Sequence, residues 1–339
     1  MRVRVYGAGA IGRGFLPWVF RDAEFEFVDP HVSLRRNSYR TYMTSDDKLG
    51  YKHIDVAIHS LSKPDVIFCC VGTRNCTKIA DQFRNPSVPV YVCENDSRVV
   101  PVLREMTGND NIWFAIPDVI TSNTAPKALL DVDPLALVTE EGCLYMPFGS
   151  RILEGGNYLS PEMMHNQWIA KLYLHNTPHC IVAYHGWALG KKFMSEAMEV
   201  PWIRSECEGV LNECIQMVVH QYGLNKKFAE YYAEKEIRRF SNSLLHDPIT
   251  RVAREPLRKL GEGERLIGAA RLCIQSNFVP THIIKGIKAC CKYDNPEDPD
   301  YETMKKNPFW GNFMEPSEPL WYLMWKDEAC SIGAEAFEI

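Results

Sequence analysis

VYGAGAIGRGF, residues 5–15, sets Gly7, Gly9 and Gly12 directly after a β-rich run, RVRVY at 2–6, and directly before a helical pattern over 11–20. Each glycine answers a separate demand. Gly7 permits a tight turn out of the strand, Gly9 lets a pyrophosphate approach the backbone, and Gly12 lets helix and strand pack closely. Phosphates would then face the N–H groups at the helix N-terminus. The loop Gly7, Ala8, Gly9, Ala10, Ile11 and Gly12 is therefore the expected dinucleotide cradle.

The next run, Phe25–Val28, ends in Asp29, where a carboxylate would accept hydrogen bonds from ribose hydroxyls and repel a 2′-phosphate. NAD is expected over NADP, with FAD the main competitor. Arg35 and Arg36 could soften that preference but read better as part of a solvated loop. Gly72 and Asn95 follow the fourth and fifth strands by this reading, at carboxyl ends where an open α/β sheet binds ligand. Asn95 could meet the nicotinamide ribose or the substrate, or could equally close its strand as an Asx turn.

Working outward, the runs RVRVYG, EFEFVD, DVIFCCVG, VPVYVCEN and IWFAIPD alternate with helical stretches, which predicts βαβ units and a parallel-rich sheet of Rossmann type. The runs look apolar on both faces, as strands covered by helices should. From about Ser160 the β signal stops and helical periods take over. Trp202, Ile203, Cys207, Val210, Leu211, Cys214, Ile215, Val218 and Tyr222 fall on one helical stripe, with further helices over 226–240 and 264–276. The turn signals Gly155-Gly156-Asn157 and Ser160-Pro161 divide the chain into an NAD-binding α/β domain, 1–158, and a mostly α-helical domain, 159–339. The aromatic stretch 307–325 reads as a flap packed on the helical domain.

With 339 residues, 46% of them hydrophobic, the chain can build a core in each domain. A net charge of −5 and the absence of a Lys/Arg block argue against nucleic acid and anionic membranes as partners. The N-terminus enters a strand at once, leaving no room for a signal peptide, and no apolar run reaches membrane-spanning length. A cytoplasmic protein acting on a small molecule is expected. Twelve cysteines without a CxxC pair, and no His/Cys cluster at zinc-site spacing, read as reduced core thiols with no metal.

The helical half opens with QWIAKLYLHNTPHCIVAYHGWALG, 167–190, carrying Lys171, Asn176 and His179 in an otherwise apolar run. In a continuous helix their offsets place them within an arc of about 140°. Pro178 must either kink that helix or start a new one with Asn176 or Thr177 as cap. On the residues alone, a lysine among apolar neighbours more often snorkels and a lone histidine more often packs in a core.

The spacing Lys171-x4-Asn176-x2-His179 resembles the signature of the polyol-specific long-chain dehydrogenases, the mannitol dehydrogenase family. GAGAIGRGF, CEN at 93–95, RFSN at 239–242, RVAREPLRKLGEGERLI at 251–267 and HIIKGIKACCKYDNPEDPD at 282–300 extend the likeness, particularly to the mannitol 1-phosphate branch. That resemblance implies a Rossmann-type domain joined to a helical one and metal-independent alcohol–ketone chemistry. Lys171 would be the general acid/base, Asn176 and Asn95 would hold the reacting oxygen, and His179 would orient a substrate hydroxyl. A lysine acting near neutral pH needs its pKa lowered, which the apolar neighbours Ile169, Leu172 and Leu174 and a bound nicotinamide could do.

Between Glu234 and Arg265 eight Lys/Arg face six acidic residues in a chain that is acidic overall. Arg251, Arg254, Arg258 and Arg265 would share a stripe, but Pro256 should begin a fresh helix, and spacing alone suggests a solvated face of ion pairs. The resemblance of REPLRKL to the phosphate-ester branch implies instead that Arg239, Arg254, Arg258 and Lys259, with Asp118, contact a sugar phosphate. Two departures bear on the sugar. The chain reads Pro117-Asp118-Val119-Ile120 where family members commonly have Val-Asp-Arg-Ile, and Asn242-Ser243 where many have Asn-Pro. A free polyol, another ketose phosphate or a hexuronate remain alternative substrates, and an NAD(H)-sensing protein is the alternative from another class. No feature sets monomer against dimer.

Overall fold

A computed structural model of the chain describes residues 1–30, 37–44, 50–306 and 319–324. Arg35 and Arg36 lie outside these residues, as does the aromatic stretch except 319–324. The described strands are β1 (Arg2–Tyr6), β2 (Glu24–Val28), β3 (Ser38–Thr44), β4 (Tyr51–Ala57), β5 (Val66–Cys69), β6 (Val90–Val92), β7 (Ile112–Phe114), β8 (Ile116–Asp118), β9 (Leu137–Glu140), β10 (Cys143–Pro147) and β11 (Asn157–Leu159).

Strands β2-β1-β5-β6-β7 make one parallel sheet, in that order. Its direction of growth reverses between β1 and β5, so the loops after these two strands flank the switch point where open α/β sheets bind ligand. Side chains alternate across the sheet. Val3, Val5, Val66 and Phe68 pack with Phe15, Leu16 and Phe20, whereas Tyr6, Ile67, Cys69, Val90 and Val92 pack with Phe83 and Leu103 on the other face.

Burial on both faces holds for β5 and β6 but not for β2. As an edge strand β2 turns Glu24 and Glu26 outward, and Glu26 takes an ion pair from Arg4. The run IWFAIPD also divides. Ala115 donates to Val92 O at 3.0 Å, and beyond it β8 pairs antiparallel with β10 in a separate sheet. The antiparallel pair β3/β4 went unread, so Val66–Cys69 is the fifth strand in chain order and Val90–Val92 the sixth.

The chain forms two compact units. The first is Met1–Trp168 with Asn242–Asp247, and the second is Ile169–Ser241 with Pro248–Ile339. The division falls after Trp168 rather than at 158 because the helix Pro161–Ile169 packs inward at its end. Trp168 stands edge-on to Phe114 at 5.1 Å, and Gln167 Nε2 donates to Asp118 at 3.2 Å. Residues 242–247 join the first unit through Tyr51 Oη donating to Leu244 O at 2.8 Å and Ser122 Oγ donating to His246 O at 2.9 Å.

Helices make up the second unit. Thr177–Ala188 is buried from Thr177 to Gly186 and is packed by Pro201–Tyr222, Ile249–Ala253 and Thr281–Cys291. Along Pro201–Tyr222 the expected stripe faces the core except at its start, where Trp202 is exposed. Lys226–Phe240 and Ile267–Gln275 occupy the other two expected stretches. Among the described residues no helix is long and apolar enough to cross a membrane.

Candidate active site

Gly7 takes a positive φ of 94° and lies so close to the next strand that an added Cβ would overlap the Cys70 carbonyl. A Cβ on Gly12 would overlap the Gly7 carbonyl oxygen. At Gly9 the same construction meets nothing within 4 Å among the described residues. A π-helical turn, Ala10–Phe15, follows and runs on as the helix Leu16–Val19. Asp29 accepts the Ala8 N–H at 2.8 Å, and the buried Arg13 donates to Ala8 O at 3.1 Å and to Leu135 O. The carboxylate expected to meet a ribose therefore also braces the glycine loop.

Gly72 has φ 87° and donates its N–H to Glu94 Oε1 at 2.8 Å. Asn95 is exposed beside it. The Asx turn that could have absorbed Asn95 is made by its neighbour: Asp96 Oδ1 accepts the Arg98 N–H at 3.0 Å. Asp118 is buried at the end of β8 on Gln167.

Lys171, Asn176 and His179 are all buried in the second unit, so Lys171 does not snorkel. As expected of Pro178, a new α-helix, Thr177–Ala188, begins with Asn176 at its N-cap position and the proline in its first turn, but without a side-chain cap. The backbone stays helical through Asn176 (φ −68°, ψ −33°), where a π-helical segment, Ala170–Asn176, passes into the new helix. A π turn closes i to i+5. Lys171 and Asn176 are five apart, the spacing that a π turn brings closer to one face than an α-helix does. The Thr177 hydroxyl donates to Arg265 O at 2.7 Å. The Asn176 amide nitrogen Nδ2 is buried without a hydrogen-bond partner among the described residues. A buried donor left so costs about 1–3 kcal/mol, so it calls for a partner from water, an ion or a ligand.

The ring of His179 stacks on Phe240, centroids 4.6 Å apart at 7°, and lies 4.9 Å from the ring of His175. His175 Nδ1 is 2.5 Å from Glu236 Oε2, and Arg239 binds the other oxygen of that carboxylate. All three are buried, Glu236 completely. This triad was not read from the sequence. Glu236 and Arg239 at i,i+3 were visible, but the basic excess made a solvated face the simpler reading.

The other basic residues form a separate group. Pro256 does begin a fresh helix, Pro256–Lys259, after Glu255 in a left-handed conformation. Lys259 and Arg265 are buried rather than solvated, because their charges meet partners inside. Lys259 Nζ donates to Val252 O at 2.6 Å and to Arg254 O, while Arg265 Nη2 is 3.3 Å from Glu264. Burial, with Arg265 and Arg258 adding repulsion, pushes the Lys259 ammonium down to about 7. Arg258 pairs with Glu255 at 3.1 Å and keeps one buried nitrogen, Nη1, without a hydrogen-bond partner among the described residues. Arg254 is exposed. Arg239 therefore lies with the histidines, apart from the Arg258–Lys259–Arg265 group.

Residues 166–319 match the model of the mannitol dehydrogenase C-terminal domain. The chain is 41% identical over 353 residues to a mannitol-1-phosphate 5-dehydrogenase of Bacillus pumilus, covering 90% of this chain and 91% of that one. It is 29% identical to an Exiguobacterium protein of the same name, covering 88% and 87%. Among solved structures, the Pseudomonas fluorescens mannitol 2-dehydrogenase ternary complex with NAD and D-mannitol shares the fold at TM-score 0.69 and 13% identity, over 90% of this chain and 83% of that chain. D-mandelate dehydrogenase with NADH and anilino(oxo)acetate shares it at 0.57 and 12%, over 90% and 99%.

Proposed function

The chain belongs to the mannitol dehydrogenase family, and from that membership we propose that it is an NAD-dependent polyol dehydrogenase interconverting mannitol 1-phosphate and fructose 6-phosphate. The observation carrying the reaction type is the buried Asn176 amide donor, without a hydrogen-bond partner among the described residues, in the same π-helical segment as the buried Lys171. In reduction the Lys171 ammonium gives its proton to the carbonyl oxygen, and in oxidation the neutral amine takes the hydroxyl proton back. The Asn176 Nδ2–H donates to the same oxygen as charge develops on it. His179, fixed by its stack on Phe240, holds a neighbouring substrate hydroxyl.

The glycine loop fits a dinucleotide: a Cβ at Gly9 would meet nothing within 4 Å among the described residues, a helix N-terminus follows, and Asp29 is anchored beside it. When bound, NAD accepts the hydride in oxidation and its reduced form returns it. Gly72 and Asn95 complete the cofactor side at the switch point. For the phosphate, Arg254 and Arg258 are the assigned contacts. Arg258 Nη1 is buried without a hydrogen-bond partner among the described residues, with the Glu264 carboxylate 4.0 Å away, and the 41%-identical relative bears the phosphate-ester name. Arg239 and Lys259 are assigned to holding the site's shape, since Glu236 and two backbone carbonyls engage them.

The test is NADH oxidation followed by absorbance, with fructose 6-phosphate beside fructose. Wild type should turn over the phosphate ester far faster, and equal rates would remove the phosphate assignment. Lys171→Ala should lower kcat by at least about a hundredfold while NADH binding persists. Near-normal turnover in that variant would remove Lys171 from the mechanism.

A further inference from the structure

Cys69 and Cys76, seven residues apart, meet Glu94 in the first unit. Cys69 ends β5, Cys76 follows the short helical turn Thr73–Asn75, and Glu94 lies just past β6. Their donor atoms, two Sγ and one carboxylate oxygen, all lie within 4.8 Å of one another, and among the described residues this is the one group of its kind. All three side chains are buried. From this convergence we propose that the chain binds one zinc-class divalent cation through Cys69, Cys76 and Glu94, as a structural site closed by protein ligands.

Geometry favours a tetrahedral thiolate ion. A metal–sulfur distance of about 2.3 Å at tetrahedral angles requires about 3.8 Å between the sulfurs, and Cys69 Sγ and Cys76 Sγ are 3.7 Å apart. The carboxylate is already aimed: Gly72 N–H holds Glu94 Oε1 at 2.8 Å, as an outer partner orients a metal ligand. The Gly72 carbonyl oxygen, 3.6 Å from Cys76 Sγ, offers a fourth oxygen. Two sulfurs with one carboxylate suit zinc, cobalt(II) or cadmium, whereas magnesium and calcium want oxygen alone. Binding exchanges two thiol protons for the cation, with no change of oxidation state. Three anionic ligands and a divalent ion leave one net negative charge, which the Gly72 N–H offsets in part.

Such an ion would tie the end of β5 to the end of β6 and fix the turn at Gly72. The experiment needs no turnover. The full chain is stripped with a chelator, dialysed, and titrated with cobalt(II) and then zinc. One ion should bind per chain, with a thiolate-to-cobalt charge-transfer band. The melting temperature should rise by roughly 5–10 °C at a hundredfold excess over Kd. Cys69→Ser and Cys76→Ser should each abolish the band, and Glu94→Gln should weaken binding at least about tenfold. Cys93→Ser, outside the triad, should leave it intact. Because a core variant can fail to fold, X-ray absorption on the zinc-loaded wild type is decisive: its first shell must hold two sulfurs. A shell of nitrogen and oxygen only, or a cobalt band that survives loss of both cysteines, would overturn the site.

Discussion

Replacing Glu236 with alanine removes the carboxylate that holds Arg239 and His175 inside the second unit. All three groups are buried and Glu236 has no exposed surface, so water cannot take over its role. Removing one partner of a buried ion pair costs about 3–5 kcal/mol, because the remaining charge is desolvated without compensation. In a domain of this size each kcal/mol lowers the melting temperature by about 2–4 °C, which gives a loss of roughly 6–20 °C. Calorimetry on wild type, Glu236→Ala, Arg239→Ala and the double variant measures it. The double variant should recover part of the loss, since the coupled terms do not add. The exposed pair Arg84–Asp81 serves as contrast; breaking it should cost at most about 1 kcal/mol. A Glu236→Ala melting point within about 2 °C of wild type, or strict additivity in the double variant, would refute the buried triad.

The glycine loop separates packing from ligand. Gly12→Ala should destabilise the first unit, because its Cβ overlaps the Gly7 carbonyl, whereas Gly9→Ala should keep the melting temperature and lose NADH affinity by fluorescence titration. Equal behaviour of the two would contradict the assigned geometry. Lys259, pushed down to about 7 when folded against an ordinary 10.5, binds fewer protons in the native state than in the unfolded chain between those values. Native stability from this group therefore rises with pH, by up to about 1.4 kcal/mol per unit, from near 7 until the penalty is gone near 10.5. Melting curves of wild type and Lys259→Met from pH 7 to 10 should diverge in favour of wild type, and parallel curves would show an ordinary lysine. Asn176→Ala should lower kcat with little change in stability, since the amide donor it removes has no hydrogen-bond partner among the described residues; a comparable loss of melting temperature would make Asn176 structural.

What the sequence disclosed follows from how local each cause is. Gly12 is demanded by the Gly7 carbonyl and Gly7 by its own positive φ, both local to the end of the first strand, so the loop and the parallel sheet were legible. The helix Lys226–Phe240 was legible too, its ends matching the expected ones. The edge position of β2 and the division of IWFAIPD depend on which strands neighbour them, which no local pattern records. Arg239 and Glu236 looked like surface charges because the third member, His175, lies 61 positions from Glu236. Cys69, Cys76 and Glu94 converge only when β5 and β6 pair. Asn176 was weighed as a cap because a proline two residues later usually signals a helix start; it does hold the N-cap position, but its side chain caps nothing because the preceding π-helical turn keeps the backbone helical through the junction.

That widened turn at Ala170–Asn176 amounts to one surplus residue lodged in an otherwise ordinary helix. A relative with a plain α-turn there would be one residue shorter, and an ungapped alignment would then carry the lysine onto a neighbour rotated by about 100°. Deleting a single residue such as Leu172 would do the same physically, leaving every side chain of the site in the chain but turning Lys171 away from Asn176.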